Sequence, residues 1–557
     1  MIKKIKLKFG RSRGSKQEII DVTPVTVFVG PNNSGKSQVL SEINNYCSHG
    51  HGDRSDVIVE YIEFATQFNE EEAECEIPNL EVEPRENESV HPAKVLISGG
   101  GIRYQVQPQQ LANILANPNG NPEQFCKWYL ASETLMLDGK GRIDLVGEQP
   151  GGDLQKSPQS SFQVLFREDD ARLEVRRIIK DAFAKYFVLD ATNLGKLRIK
   201  LSDDAPSNHL EERGIHEEAV EFHAEALSIE DASDGVKAFV GMVTEIIAGD
   251  PNILLVDEPE AFLHPSLSYN LGREIAQASS TKHKRIFAST HSPDFVMGCI
   301  RSGTPVNIVR LTYQNDLATA RILANDEILR LMRNPLLRST GVLSGLFYKY
   351  VIVTESDADR AFYEEVNERL LRYKPEWAIP NCLFLNAQNK QTVKVILEPL
   401  REMGIPAAGI VDIDVVKDGG SVWTSFLRSG SVPDISHQSF SQLRVAVKDK
   451  LRDADGNMKR DGGISLLNDS DKEAANNLFN QLDEYGLFVV RGGELESWLS
   501  HLGAGGHGPN WLIDVFDEMG EDPDSASYVK PSDDGVWQFM GVVKNWLTNS
   551  ERKGIPE

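Results

Sequence analysis

Residues 23–37 read Thr23-Pro24-Val25-Thr26-Val27-Phe28-Val29-Gly30-Pro31-Asn32-Asn33-Ser34-Gly35-Lys36-Ser37. An apolar strand over Thr23–Val29 runs into the pattern GxxxxGK[ST], and a helix follows from about Lys36, the context this phosphate-binding loop requires. Backbone N–H groups along Gly30, Asn32, Asn33, Ser34 and Gly35 are then gathered at a helix N-terminus, where they cradle phosphates. Lys36 is expected to reach the β- and γ-phosphates of ATP, and the Ser37 hydroxyl to ligate Mg²⁺. A chance glycine-rich turn rarely has both flanks.

The partner of that loop is Ile253-Leu254-Leu255-Val256-Asp257-Glu258-Pro259. A buried strand delivers Asp257 to the metal shell, and Glu258 stands beside it to polarise the attacking water. Two adjacent carboxylates ending an apolar strand are a poor structural choice without a cation nearby. A further strand, Arg285–Ser289, ends at Ser289-Thr290-His291-Ser292. It places His291 at the carboxyl edge of the sheet, where ligands bind in open α/β folds and where a histidine can sense the γ-phosphate.

These residues resemble the ABC-type ATPase family, with its Walker A and B motifs, catalytic glutamate and switch histidine. The resemblance implies ATP hydrolysis, and a signature loop from a second protomer that completes the nucleotide site. The best match to that loop is Ala232-Ser233-Asp234-Gly235-Val236, ahead of an apolar helix. It departs from LSGGQ and keeps only Ser233 and Gly235 as nucleotide contacts. Glu260–Pro265 resembles the D-loop of DNA-repair and phage-defence branches, and Gln163 is a candidate Q-loop glutamine.

At 557 residues the chain calls for two or three domains. Its 40% hydrophobic and 25% charged residues are those of a soluble globular protein. No apolar run reaches the ~18–20 residues a membrane span needs. Five scattered cysteines suggest no disulfide framework and point to a cytoplasmic setting. The net charge of −24 argues against coating nucleic acid over the whole surface, although not against a local basic groove. The lysines and arginines before residue 17 read as a solvated hairpin face, and nine glutamates between Glu70 and Glu88 as an exposed or poorly ordered insertion. Helices are expected over Gln105–Ala116 and from about Asp169 to Phe187. Cys47, His49 and His51 are too tightly spaced for a structural zinc site.

Alternation of buried strands and helices gives an α/β fold class with a mostly parallel, covered sheet. The pattern breaks at Asn334-Pro335 and restarts at Tyr350, so the expected domains are 1–340, with a mixed insertion over about 65–200, and 341–557. In the second domain Glu355 follows the apolar strand Val351–Val353, and Asp359 lies one helical turn on. Asp412 and Asp414 form a DxD pair after Gly409-Ile410-Val411. Brought together at one sheet edge, these carboxylates can hold one or two Mg²⁺ ions, with Mn²⁺ as a substitute, and hydrolyse a phosphodiester.

The ordered set Glu355, Asp359, Asp412 and Asp414 resembles the TOPRIM domain, with Ser356 standing where a glycine is usual. An ABC-type ATPase followed by a TOPRIM-like parallel α/β domain with a helical end resembles the OLD (overcoming lysogenization defect) family of ATP-dependent nucleases. That resemblance implies DNA as partner, a homodimer or higher oligomer, bacterial anti-phage defence and a neighbouring-gene defence protein. It also implies a further acidic pair, matched by Glu494 and Glu496 as metal ligands, and a late lysine, matched by Lys544. The main rival is an ATPase scaffold whose second domain is non-catalytic and binds an effector. A topoisomerase lacks its tyrosine-bearing domain here, and a chromosome-structural ATPase its coiled-coil array.

Overall fold

The computed structural model describes residues 1–314, 316–324, 328, 329, 332–335, 337 and 341–556. The chain forms two compact units, Met1–Leu329 and Arg330–Glu557. The boundary expected near residue 340 falls on 338–340, outside the described residues.

In the first unit six strands make one sheet: β1 (Val25–Val29), β2 (Thr134–Leu137), β3 (Ile253–Asp257), β4 (Arg285–Ser289), β5 (Val306–Gln314) and β6 (Leu317–Ala324). Their order is β6-β5-β1-β4-β3-β2, parallel except for the β5–β6 hairpin. Every residue of β1 is buried, as is every residue of β3 before Asp257, so these strands are covered on both faces. β1 and β3 flank β4, which brings the loop after β1 beside the acids after β3. A smaller antiparallel sheet pairs Ile2–Leu7 with Ile19–Asp21 and Val59–Phe64. Its outward lysines are matched by acids, Lys3 to Glu63, Lys4 to Asp21 and Lys6 to Glu60.

Three local expectations change. The glutamate run is largely exposed, as one of the two alternatives had it, but it is ordered: it opens a helix, Glu70–Leu80, because Asn69 and Glu72 form a reciprocal capping box and three glutamates in the first turn complement the helix dipole. The segment expected as helix from Gln105 begins as strand Ile102–Val106, paired with Val95–Gly99, and Pro108 opens the helix that ends at Ala116. The long helix from Asp169 stops at Phe183, where Ala184 turns left-handed (φ 57°), and Tyr186–Asp190 becomes a strand.

The second unit holds four parallel strands: β7 (Tyr350–Thr354), β8 (Cys382–Asn386), β9 (Ala407–Asp412) and β10 (Leu487–Val490), in the order β8-β7-β9-β10. Strand order reverses between β7 and β9, and an open α/β sheet has its ligand crevice at the carboxyl ends of such strands. Helix Asp357–Tyr373 packs Phe362 and Tyr363 into a core shared with Trp511, Trp537 and Trp546 of the helical end. Among the described residues no helix is long and apolar enough to cross a membrane.

Candidate functional site

In the first unit the loop after β1 has an unusual backbone: Gly30, Asn33 and Gly35 have φ of 150°, 62° and 93°. A Cβ on Gly30 would stand 2.1 Å from the Leu311 carbonyl oxygen, so only glycine lets the loop leave β1 beside β5. The loop feeds helix Lys36–His49. Lys36 is buried and donates to the carbonyls of Gly30 and Pro31, each at 2.9 Å, and burial pushes its ammonium down to about 8. Ser34 Oγ is buried with no hydrogen-bond partner among the described residues, an orphan inside a loop suited to phosphate oxygens.

Asp257, at the end of β3, accepts from Ser37 Oγ at 3.0 Å and from Ser289 Oγ. The expected Mg²⁺ ligands therefore meet across 220 residues of sequence. Glu258 has a left-handed φ of 50°, rare for a non-glycine residue, and its N–H extends the ladder to Ser289 O at 2.8 Å. Its carboxylate lies 3.7 Å from His291 Nε2. Glu260 receives the His291 N–H at 2.6 Å and the Thr290 hydroxyl at 2.8 Å, fastening the segment after β3 to the end of β4. Burial lowers the pKa of His291, so the neutral ring dominates near neutral pH.

Ser233 caps helix Asp234–Ala248 without spending its hydroxyl on the helix. A Cβ on Gly235 would meet the Phe262 carbonyl at 2.5 Å, so this helix start and the segment after Glu258 are in close contact. Gln163 lies away from this cluster in its bonding: its side chain holds Pro150 O and Gln159 N. Sequence reading missed Arg142, fully buried on Gly139–Asp144 after β2, whose guanidinium donates to the Asp257 carbonyl. Nothing in its local pattern marks it, because only the pairing of β2 with β3 brings it there.

Residues 156–297, which include Ser233, Gly235, Asp257, Glu258 and His291, match the family model described as "AAA domain, putative AbiEii toxin, Type IV TA system". The first unit contains an ATPase domain.

Among solved structures, an Smc head bound to the C-winged helix domain of ScpA aligns at 14% identity and TM-score 0.31, over 59% of this chain and 99% of that one. The SMC head domain from Thermotoga maritima aligns at 15% and 0.28, over 58% and 98%. A Smc head with an extended coiled coil, bound to the C-terminal domain of ScpA derived from Pyrococcus furiosus, aligns at 14% and 0.29, over 60% and 98%. No curated protein matches.

Apart from this ATPase domain, the second unit gathers carboxylates at its strand-order reversal. Glu355, Asp412 and Asp414 offer oxygens all within 4.8 Å of one another. Glu355 Oε1 accepts the Asp412 N–H at 2.8 Å, which locks the exit of β7 to that of β9. Asp414 Oδ2 faces Lys390 at 3.1 Å, while Asp414 Oδ1 is buried without a hydrogen-bond partner among the described residues, an acceptor suited to a hard cation. An all-oxygen set of this kind fits Mg²⁺ or Mn²⁺.

Asp359 stands outside that group. Its carboxylate accepts from Ser356 N at 2.9 Å and Ser356 Oγ at 2.6 Å, and the Ser356 hydroxyl caps the helix in return. The serine in place of the expected glycine thus engages Asp359 in a capping box. Glu494 and Glu496 form a second group with His507: Glu496 Oε1 lies 2.6 Å from His507 Nδ1 and accepts Gly508 N–H at 2.8 Å. The Lys544 ammonium makes no hydrogen bond or ion pair among the described residues. Lys459, unnoticed in the sequence, lies 2.8 Å from Asp412 Oδ2 and 3.4 Å from Glu494 Oε2.

Burial and the neighbouring Asp412 push Glu355 up to about 8, and burial pushes Asp412 up to about 7 against the pull of Lys459. Both acids hold their protons more tightly folded than unfolded, so between roughly pH 4 and 8 the folded state carries the extra protons and stability falls as pH rises. Without metal, the unfolding temperature should drop by several degrees between pH 5.5 and 8.5. Saturating Mg²⁺ should flatten that slope by replacing the protons, and Glu355→Gln should flatten it without metal. Thermal scans with and without EDTA measure both.

Proposed function

We propose that the chain is an ATP-gated, Mg²⁺-dependent DNA endonuclease of the OLD type, with the ATPase in the first unit and a TOPRIM-like nuclease in the second. The observation that carries this reading is the convergence of Glu355, Asp412 and Asp414 at the strand-order reversal. Their charges repel and are costly to bury together unless a cation joins them. A bound Mg²⁺ supplies an activated water and neutralises charge on the phosphate. Glu355 and Asp412, at the ends of two neighbouring strands, would hold the ion, and Asp414 would complete the oxygen set. Plasmid nicking with Mg²⁺, with EDTA, and with and without ATP tests the reading. Cleavage that survives EDTA would sink it. Anti-phage defence, beside a neighbouring-gene partner, is the cellular role that fits such an enzyme.

One observation favours a second reading, an ATPase scaffold. Lys390 and Lys459 already pair Asp414 and Asp412, so part of the acidic charge is balanced internally. Absence of cleavage on single-stranded, double-stranded and supercoiled DNA with Mg²⁺ and Mn²⁺ would select it.

Two ATPase heads are expected to join across ATP. The Ser233 hydroxyl is uncommitted, and beside it Phe262 is held at φ 69° and is 61% exposed, an apolar surface suited to a second copy. Specific ATP turnover should fall on dilution, and Phe262→Asp should shift that fall to at least about tenfold higher protein concentration. Turnover independent of concentration in a monomer, checked by light scattering, would refute the pairing.

A further inference from the structure

We propose that Lys459 is a built-in cation standing in for a second metal ion, so that the nuclease site takes one divalent ion, at Glu355, Asp412 and Asp414, rather than two. The inference rests on the nuclease reading and sharpens its chemistry. Lys459 lies in the long crossover from β9 to β10, between helices His437–Asp453 and Asp469–Asp483. Its loop is folded on itself and tied at one end to the exit of β10. Asn457 N–H donates to Asp461 Oδ2 at 2.6 Å, and Lys459 N–H to Asn457 Oδ1 at 2.9 Å. Ile464 N–H bonds the Arg491 carbonyl at 3.0 Å.

Two glycines press this loop onto the exit of β10. A Cβ on Gly493 (φ 125°) would stand 2.0 Å from the Lys459 carbonyl oxygen, and one on Gly463 (φ 59°) would stand 2.1 Å from that of Arg491. The Lys459 backbone is therefore seated against the strand that ends just before Glu494. From there its ammonium reaches Asp412 Oδ2 and Glu494 Oε2 together.

Two-ion sites place their metals ~3.5–4 Å apart and share a carboxylate between them. Asp412 is the acid that lies between the two ligand groups here: it belongs to the first, and Lys459 links it to Glu494 of the second. The ammonium holds the Asp412 oxygen that a second ion would need, along with Glu494 of the second group. It supplies one positive charge where a second ion would supply two, and it leaves Glu355 and the orphaned Asp414 oxygen for the first. Lys390 does not compete for this place, since it reaches Asp414 and Asp418.

The test counts bound Mn²⁺ by calorimetry and electron paramagnetic resonance, without nucleotide, in the full chain carrying Asp257→Asn to silence the ATP site. One ion is expected with Lys459 present, and none after Glu355→Gln. Lys459→Met should admit a second ion, which adding Glu494→Gln should remove, while Lys459→Arg should keep the count at one. Should Lys459→Met not fold by circular dichroism, Lys459→Gln takes its place. Two ions with Lys459 intact, or a single ion after its removal, overturns the inference and leaves the nuclease reading standing. No Glu355-dependent ion at all overturns the nuclease reading, and the inference with it.

Discussion

Replacing Glu355 and Asp412 together by alanine is expected to lower DNA cleavage by roughly 10³-fold or more, while ATP hydrolysis stays within about twofold. The two residues end neighbouring parallel strands and are joined by the Asp412 N–H bond to Glu355. Removing both takes away two of the three converging carboxylates and the contact that aligns the strand exits. The ATPase residues belong to the other compact unit, which is why the two activities should separate. EDTA should reproduce the loss, and Zn²⁺ should rescue poorly because the ligand set is all oxygen. Nicking assays run beside phosphate-release assays on the same preparation measure both. Undiminished cleavage by the double variant would end the nuclease assignment.

The second large effect divides nucleotide binding from hydrolysis. Lys36→Ala should weaken ATP binding by about 10²-fold, because a charge-assisted phosphate contact is lost from a buried position. Glu258→Gln should bind ATP as well as the parent but hydrolyse it ~10²–10³-fold more slowly. Its carboxylate is exposed beside His291, set by a left-handed backbone, and makes no structural hydrogen bond that the amide would break. Fluorescent-nucleotide binding and single-turnover hydrolysis report the two steps. Parental turnover in Glu258→Gln would remove that glutamate from the chemistry.

Much of this arrangement was legible wherever an apolar run ends in acids. Ile253–Val256 before Asp257 and Ala407–Val411 before Asp412 are covered parallel strands, and such strands announce themselves by runs of Val, Ile, Leu and Ala with no polar residue, Gly409 being the one small interruption. Helix Asp357–Tyr373 was legible from its spacing, and its Ser356 cap explains the departure from glycine. Elements decided by single backbone turns were less legible. Nothing in the apolar spacing from Asp169 to Phe187 says that Ala184 turns left-handed and starts a strand. Arg142 and Lys459 were not legible at all. Each is a basic residue in a short or irregular segment: strand pairing brings Arg142 to the Asp257 carbonyl, and a glycine-backed contact far along the chain brings Lys459 to the Asp412 carboxylate. Asp359 was grouped with the other acids on its spacing and on the TOPRIM resemblance, and spacing cannot see that one of its oxygens, Oδ2, also serves the Ser356 cap.

The bond between Ser37 and Asp257 spans 220 residues, and this has a consequence for how the protein is made. A ribosome adds about 5–20 residues per second, so the phosphate loop emerges roughly 10–45 s before the strand that carries its acidic partner. During that interval β1 has neither β4 nor β5 beside it, and its four apolar residues have no sheet to enter. The newborn chain is therefore a client for whatever shields bare strands in the cell. The loop after β1 meets its acidic partner only once β3 and β4 have both left the ribosome.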